Sequence, residues 1–386
     1  MRVLKDWLMS YLEYTREQEA PEMFHFWSGV SAIASTIGRN VWVDRGFYTL
    51  YPNHYIVILA GSGVARKSVA VGITRNILMK AGTSYISDDR ITNAGLIEDL
   101  ATRSKEVGKA EILVWADELK SFLSKEETHR GILTTLTTLY GCPNIYQNKL
   151  IMRGREVILF PCINTLMATT PTDLVELIPD AATGAGFTPR LHIVYQKTRR
   201  HKKADPTYSR ELEDMLVLDL RHIKTICGQM KMSPEGNQWW LNYYDKLPDE
   251  APSEELDGFY ARKGDYMLKL AIVISLARKD ELILGVEEMK IADGFLTALE
   301  GKLKLVYIKF GQTPSTAHFD RIVSQIRKRG GTATKSDLLH DNWARLNSTE
   351  LEAVMRSLEE AMLITTDIKG RTTTYKEVRR KYNGKG

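Results

Sequence analysis

The segment that most constrains the fold is residues 61–68, which lie between an apolar run and a helical pattern. The apolar run, residues 55–60 (YIVILA), is nearly continuous and predicts a strand buried on both faces. Residues 69–80 then repeat apolar side chains at helical spacing. Between them, GSGVARKS almost satisfies the phosphate-loop pattern, in which backbone N–H groups surround a phosphate at a helix N-terminus. We therefore expect a phosphate-binding loop in an α/β fold.

Each part of this segment has a chemical role in a phosphate loop. Lys67 meets the β- and γ-phosphates, and the Ser68 hydroxyl coordinates Mg²⁺. Arg66 departs from the pattern, because glycine usually precedes the lysine, so the sequence leaves the backbone shape there open. The alternative is an ordinary glycine-containing turn. The residues expected to contact a nucleotide are Gly61, Ser62, Gly63, Val64, Ala65, Arg66, Lys67 and Ser68.

A second apolar run ends in two carboxylates. Residues 112–116 (ILVWA) predict a buried strand, and Asp117 and Glu118 follow it directly. A phosphate-loop ATPase needs one carboxylate to hold Mg²⁺, the role expected for Asp117. It needs another to act as a base toward the attacking water, the role expected for Glu118. Many strands end in two acids, so the order and spacing after Ser68 make this pair informative.

Polar residues at the ends of two further strands complete the set. Residues 163–168 are followed by Thr169 and Thr170, whose hydroxyls are candidate sensors of the γ-phosphate at the carboxyl edge of a sheet. The alternative for them is a helix N-cap ahead of Pro171. Arg190 follows a glycine-containing loop and precedes the next strand, so it is a candidate arginine finger for a neighbouring subunit's nucleotide. Its alternative is a surface salt bridge.

The order of these motifs resembles a known family. GSGVARKS, LVWADE, LMATTP, GAGFTPRLHIVY and ARKGDYMLKLAIVISLA are together similar to ATPases of phages and mobile elements that are described as primase-associated or replicative helicase-like proteins. That family is similar to virus-type superfamily III and other AAA+ helicases, and the resemblance spans roughly residues 21–300. It implies an ATPase that uses ATP and Mg²⁺, acts on DNA during replication of a mobile element, and assembles as a ring, which we expect to be a hexamer.

The resemblance also implies further contacts. The family position of Arg262, in a helical lid, implies a second sensor that touches the nucleotide, and Lys269 is a weaker candidate. In superfamily III-like helicases, a hairpin just before the sensor strand enters the central pore and follows the DNA backbone, and residues 145–159 have that place here. A surface hairpin with solvated cations is the alternative. The DNA contacts expected from this hairpin are Lys149, Arg153 and Arg155.

Changes of pattern along the chain predict four segments. Residues 1–50 indicate a helical N-terminal cap, 51–205 a P-loop NTPase core of AAA+ type, and 206–312 a helical lid. Residues 313–386 predict three helices followed by a short hairpin, which is the order of a winged helix. Winged helices bind DNA or dock proteins, and both readings stay open. The candidate DNA contacts of the hairpin turn are Lys369 and Arg371.

Composition limits the cellular compartment and the kinds of partner that the sequence predicts. Three cysteines without a CxxC pair favour neither disulfides nor zinc, and the charged N-terminus lacks the pattern of a signal peptide or membrane span. We therefore expect a cytoplasmic protein with no membrane partner. Two basic stretches, residues 197–203 and the tail after Met362, indicate either nucleic-acid binding or a solvated linker and frayed tail.

Three functions follow as hypotheses. The first is an ATP-dependent DNA helicase or translocase that acts on single-stranded or forked DNA, and the resemblance implies a separately encoded primase or polymerase as its partner. The second is an ATP-switched replication initiator or helicase loader. The third is a DNA-binding winged-helix regulator or adaptor with an inactive P-loop. The intact set Lys67, Ser68, Asp117 and Glu118 argues against the third hypothesis.

Overall fold

The structure, a computed structural model, describes residues 2–122, 126–150, 154–177, 186–253, 256–310, 314–343, 346–360, 362–370 and 372–378. The chain forms two compact units, Met1–Val306 and Tyr307–Gly386. The predicted cap, the predicted core and most of the predicted lid thus lie in the first unit, and the segment predicted as a winged helix lies in the second.

The first unit is a mixed α/β structure, as the sequence predicts. Its helices are α1 (Trp7–Tyr14), α2 (Glu22–Ile37), α3 (Lys67–Ala81), α4 (Asn93–Val107), α5 (Leu119–Phe122), α6 (Glu126–Leu139), α7 (Pro171–Leu177), α8 (Arg210–Ile223), α9 (Pro234–Tyr244), α10 (Asp257–Tyr260), α11 (Lys263–Arg278) and α12 (Val286–Phe310), the last extending past Val306. Its strands are β1 (Val41–Asp44), β2 (Thr49–Leu50), β3 (Tyr55–Leu59), β4 (Glu111–Ala116), β5 (Ile145–Leu150), β6 (Gly154–Leu159), β7 (Cys162–Thr169), β8 (Leu191–Tyr195), β9 (Gly228–Gln229), β10 (Lys231–Met232) and β11 (Ile283–Leu284).

A four-stranded parallel sheet forms the centre of this unit. Its strand order is β4-β7-β3-β8, so β7 lies between β3 and β4. Tyr55 of β3 pairs with Thr165 of β7 and with Leu191 of β8, and Leu113 of β4 also makes a parallel bridge to Ile86. Because the strands run in one direction, the residues that follow them share the carboxyl edge of the sheet, and the residues that precede them share its amino edge.

Helix α2 lies across the sheet. It contacts β3, β4, β7 and β8, and every residue from Phe24 to Ile37 is buried. A helix that is buried all round needs other elements on its remaining faces, and α1, α3, α8 and α11 supply them. With neighbours on both faces, every residue of β3 is buried, which explains the continuous apolar run in the sequence.

The N-terminal residues are tied to the segment predicted as a lid. The backbone N–H groups of Val3 and Leu4 donate to the Asp219 carboxylate at 2.6 and 2.9 Å. Trp7 Nε1 donates to Leu216 O at 2.9 Å, and β1 pairs with β9 in parallel. These contacts between distant parts of the sequence explain why the predicted cap and lid belong to one unit.

The second unit has its own small core and sheet. The core includes Ile322, Leu338, Leu351 and Leu358. The antiparallel sheet has the order β12-β14-β13. The predicted three helices and hairpin are present, whereas β12 was not predicted, because it is only three residues long and ends where Thr334 caps the next helix. The elements are α13 (Pro314–Lys328), β12 (Thr332–Thr334), α14 (Lys335–Asn342), α15 (Ser348–Glu360), β13 (Ile364–Lys369) and β14 (Thr372–Glu377).

Buried histidines pack between α2 and the sheet. His54 Nδ1 and His192 Nε2 are 3.0 Å apart, and the Trp27 ring stacks on the His192 ring with centroids 4.9 Å apart. Burial lowers the pKa of His25 and of His192 to about 3, and it holds the pKa of His54 well below its usual range. All three rings are therefore neutral in the folded protein at neutral pH.

These histidines make the folded state sensitive to acid. In the unfolded chain they bind protons below a pKa of about 6.5, whereas in the folded chain they do not, so the free energy of unfolding falls as the pH drops from about 6.5 toward 3. Each histidine contributes about 1.4 kcal/mol per pH unit in that window, which gives a loss of about 4 kcal/mol at pH 5.5. Thermal unfolding of the first unit between pH 7.5 and 5.5 measures this.

Replacement of one histidine isolates the effect. His192→Gln is expected to reduce the pH dependence of the unfolding free energy by about a third, because one of three such groups is gone. His340→Gln is the control, since the His340 side chain is 90% exposed. An unchanged pH dependence in His192→Gln would contradict the assignment of acid sensitivity to these buried rings.

Candidate nucleotide-binding site

The ends of β3, β4 and β7 bring the predicted motifs together at the carboxyl edge of the sheet. The Ala60 N–H, just after β3, donates to Thr169 O at the end of β7 over 3.4 Å. Ser68 Oγ lies 3.5 Å from Asp117 O, just after β4. Trp115 Nε1 also donates to Val71 O at 3.2 Å, which holds the second turn of α3 against β4.

Lys67 begins α3 and turns back over the loop. Its Nζ donates to Ala60 O at 2.9 Å and to Gly61 O at 3.2 Å. Burial lowers the pKa of Lys67, while the charges of Asp173 and Glu118 act in the opposite direction. The ammonium group therefore lies within electrostatic range of two carboxylates at the same edge. A bound anion would replace the Ala60 and Gly61 carbonyls as the hydrogen-bond partner of this group.

The backbone at Arg66 keeps the shape that glycine usually provides. Its φ is +50° and its ψ is +37°, the left-handed region, although it is not glycine. The Arg66 side chain is held by an ion pair from Nε to Glu19 Oε2 at 2.7 Å, and this contact lowers the pKa of Glu19. Arg66 thus has a conformation that glycine adopts without strain, and its side chain is held in place by Glu19.

The structure separates the two candidate threonines. Thr170 Oγ1 donates to Asp173 Oδ2 at 2.5 Å and accepts from the Asp173 N–H at 3.2 Å, so it caps α7, as the alternative reading of the sequence has it. The Thr169 side chain is buried, and its Oγ1 has no hydrogen-bond partner among the residues that the structure describes. Of the two, Thr169 therefore has the hydroxyl that is left unpaired within the described part of the chain.

The acidic pair lies at the surface of this edge. Asp117 and Glu118 are both exposed, one residue and two residues beyond β4. In the described part of the chain, no group of three or more His, Cys, Asp or Glu side chains is arranged to hold a metal ion. Mg²⁺ in nucleotide sites commonly uses one or two protein ligands together with substrate phosphates and water, so the donor set Ser68 and Asp117 fits that ion.

Arg190 lies at the other edge of the sheet. It ends a short 3₁₀ turn, Thr188–Arg190, just before β8, and its Nη1 donates to Gly186 O. Its guanidinium carbon is 5.7 Å from the centre of the Tyr140 ring. From the amino edge it does not reach residues 61–68 of its own chain, and a contact with a neighbouring chain's nucleotide stays a prediction.

Arg262 is not brought to the phosphate loop. It is the N-cap of α11, and Lys269 in the same helix donates to Asn53 Oδ1 at 2.8 Å. Asn53 precedes β3, so this part of α11 lies at the amino edge. The expected contact of Arg262 with the nucleotide of its own chain is therefore corrected, because the central sheet separates the two.

The predicted DNA hairpin is formed by β5 and β6. Their antiparallel register places Lys149 opposite Arg155 and Leu150 opposite Gly154. Arg153 lies outside the described residues. In the second unit, β13 and β14 form the predicted hairpin with Lys369 opposite Thr372, and Arg371 lies outside the described residues.

The basic run at residues 197–203 is largely neutralised by the N-terminal part of the chain. Arg199 Nη1 lies 3.1 Å from Glu19 Oε1, Arg200 Nη1 lies 3.6 Å from Glu22 Oε2, and Lys203 Nζ lies 3.6 Å from Glu17 Oε1. The interpretation of this run as a nucleic-acid footprint is therefore weakened, since its charges hold the chain together.

Two residues at the site were not identified from the sequence. Glu19 is 47 residues from Arg66, and no local pattern links an acid there to the loop. Asp173 lies three residues after Thr170, and this spacing of a hydroxyl and an acid is a helix-capping signal that was available in the sequence.

Comparison with known proteins gives no match to any protein-family model and none to any curated protein. The class of the protein therefore rests on its fold and its site. Within the described residues, no helix is both long and apolar enough to cross a membrane.

Substitutions at Arg66 test the left-handed backbone. Arg66→Gly and Arg66→Val both lose the ion pair with Glu19, but only glycine adopts this φ without strain. We expect the free energy of unfolding of Arg66→Val, measured by urea denaturation, to be about 1 kcal/mol lower than that of Arg66→Gly.

The same pair of substitutions at Met79, an exposed position inside α3, is the control. There the order is expected to reverse, because glycine is the poorer helix former. Equal stabilities of the two Arg66 variants would contradict a left-handed conformation at this position.

Proposed function

We propose that this protein is a P-loop ATPase of AAA+ type that works as an oligomeric ring and moves along DNA. The observation that carries the proposal is the sheet order β4-β7-β3-β8 with the loop, the acidic pair and Thr169 at one edge. In this arrangement the strand that carries a candidate sensor lies between the strand of the loop and the strand of the acids. The resemblance to mobile-element helicase-like ATPases supports the DNA part of the proposal.

The residues at this edge fit MgATP. The N-terminus of the fifteen-residue helix α3 faces the loop, and its unpaired N–H groups and dipole favour phosphate. Lys67 adds a full charge that its own carbonyl contacts do not neutralise. The buried Thr169 hydroxyl, which has no partner among the described residues, is the kind of group that a ligand oxygen satisfies.

The roles of the side chains follow from their positions. Lys67 would donate to the β- and γ-phosphate oxygens, and Ser68 and Asp117 would hold Mg²⁺. When bound, that ion supplies charge neutralisation at the phosphates. Glu118 would accept a proton from the attacking water, and Thr169 would donate to the γ-phosphate. Catalysis of this kind consists of positioning and electrostatic stabilisation.

The DNA part of the proposal rests on the hairpin β5–β6. Its register places two cationic residue types, at 149 and 155, opposite each other near the tip. Cations at a hairpin tip attract phosphates of a single strand, and a ring of such hairpins would follow the strand as nucleotide states alternate. Arg190, at the amino edge, would complete the site of the neighbouring subunit.

Steady-state ATP hydrolysis tests the proposed function. Wild type is expected to hydrolyse ATP, with stimulation by single-stranded DNA, and Lys67→Ala is expected to lose both activities. Glu118→Gln is expected to lower kcat about a hundredfold or more with little change in ATP affinity, because it loses the base but keeps the binding groups. Lys149→Ala with Arg155→Ala is expected to reduce only the stimulation, and Lys231→Ala with Lys290→Ala is its control.

Other outcomes point elsewhere. Hydrolysis without stimulation by DNA would favour the initiator or loader that uses ATP as a switch. No hydrolysis, together with binding of duplex DNA, would favour the DNA-binding adaptor. Normal hydrolysis by Glu118→Gln would contradict the role of Glu118 as base.

Thr169 and Thr170 give a paired test of function against structure. Thr169→Val is expected to slow ATP hydrolysis without lowering stability, because a buried hydroxyl that lacks a partner contributes no hydrogen bond to the fold. Thr170→Val is expected to lower the free energy of unfolding by about 1 kcal/mol through loss of the N-cap of α7. Thermal unfolding and hydrolysis assays on both variants measure this, and a loss of stability in Thr169→Val with unchanged hydrolysis would contradict it.

A further inference from the structure

A cavity of about 470 Å³ opens at the amino edge of the central sheet. It lies on the other side of the sheet from the phosphate loop, because its lining residue Asn53 precedes β3 and the loop follows β3. The rest of the lining comes from the β1–β2 hairpin, from residues 140–144 and from the beginning of α11. None of the residues proposed above to bind MgATP at the loop lines this cavity.

Aromatic side chains form one part of the wall. Phe47, at the tip of the β1–β2 hairpin, is wholly exposed, and Tyr48 beside it is about half exposed. The tip is ordered by a hydrogen bond from Arg45 N to Tyr48 O at 2.9 Å, and Tyr48 Oη donates to Asp265 Oδ1 at 3.1 Å. The two adjacent rings form an exposed aromatic patch at the rim of the cavity, and contiguous exposed apolar patches mark binding surfaces.

Cations form the other part of the wall. Lys269 is 3% exposed, and its Nζ bonds to the neutral oxygen Asn53 Oδ1 at 2.8 Å and lies 4.0 Å from the centre of the Tyr140 ring. Arg262 lines the same cavity, and one carboxylate, Asp265, accompanies these two cations. The described lining therefore carries an excess of positive charge, and an anion in the cavity would offset it.

Two further observations favour a ligand site at this edge of the sheet. Tyr140 lines the cavity with 9% of its surface exposed, and its hydroxyl has no hydrogen-bond partner among the described residues. Burial lowers the pKa of Arg190, and the nearby charge of Arg262 lowers it further. Like charges and an unsatisfied hydroxyl are thus concentrated at the same edge of the sheet.

We infer that this cavity is a second binding site, which takes one nucleotide unit with its base against the aromatic rim and its phosphate toward Arg262 and Lys269. Aromatic rings stack on bases and cations pair with phosphates, and together they bind nucleotides whatever the base. The volume lies within the range of small-molecule sites. The unit is supplied either by a free nucleotide or by single-stranded DNA, and these two sources share the same chemistry.

The test uses the full chain with Lys67→Ala, so that the phosphate loop does not contribute. Two probes are titrated: thymidine 5′-monophosphate by calorimetry, and a fluorescein-labelled oligothymidylate by anisotropy. Phe47→Ala or, separately, Arg262→Ala is then added to this background. Each is expected to weaken binding of whichever probe the cavity binds by about tenfold, because one stacking or one charged contact is lost. Met79→Ala and Lys290→Ala, exposed positions outside the cavity lining, are the matched controls.

The outcomes separate the sources and the hypotheses. Weakened binding of the oligonucleotide alone assigns the site to single-stranded DNA, and weakened binding of the mononucleotide assigns it to a free nucleotide. Both results support the site. Equal binding by the cavity variants and the controls, or no binding of either probe, overturns it. The proposed ATPase fails on a different result, the absence of ATP hydrolysis by wild type, so each idea can fail alone.

Discussion

Parallel pairing of β3 with β7 and β8 is the constraint on which the rest of the first unit depends. Parallel sheets are found with both faces covered, and here every residue of β3 is buried, with α2 packed across the sheet. The parallel pairing also sorts the polar residues of the chain by edge. Residues that follow β3 contact Lys67, and Asn53, which precedes β3, contacts Lys269 beside the cavity. One strand direction thus creates two chemically different places in the molecule.

Cations of the first unit are paired with carboxylates at one edge of this sheet more completely than at the other. Near residues 61–68, Glu17, Glu19 and Glu22 form ion pairs with cations of residues 197–203, and Glu19 also holds Arg66. At the amino edge, Lys269 contacts the neutral oxygen of Asn53 and the Tyr140 ring, and no carboxylate of the described residues forms an ion pair with it. Ion pairs at a surface contribute little stability each, so the N-terminal acids are better understood as positioning groups than as a source of stability.

Most strands of the central sheet and the residues at its carboxyl edge could be predicted from the sequence, and the contacts that could not be predicted were missed for physical reasons. The continuous apolar runs identified β3, β4, β7 and β8, because strands buried on both faces leave no alternation in the sequence. The hairpin β5–β6 and the helices of the second unit also came from local patterns. The acid that fixes Arg66 did not, since contacts over 47 residues leave no periodic signal. Arg262 was misplaced because a lid position taken from a resemblance does not specify which edge of the sheet the helix end meets.

The pairing of Arg66 with Glu19 has an evolutionary consequence. Arg66 has a left-handed backbone, which glycine adopts without strain, and its long cationic side chain is fixed by Glu19. Glycine at position 66 would leave Glu19 with Arg199 and the Lys203 N–H as its partners among the described residues, and selection on that acid would relax. Among natural variants of this chain, arginine at position 66 and an acid at position 19 are therefore expected to be inherited together, as a joint signature of this form of the loop.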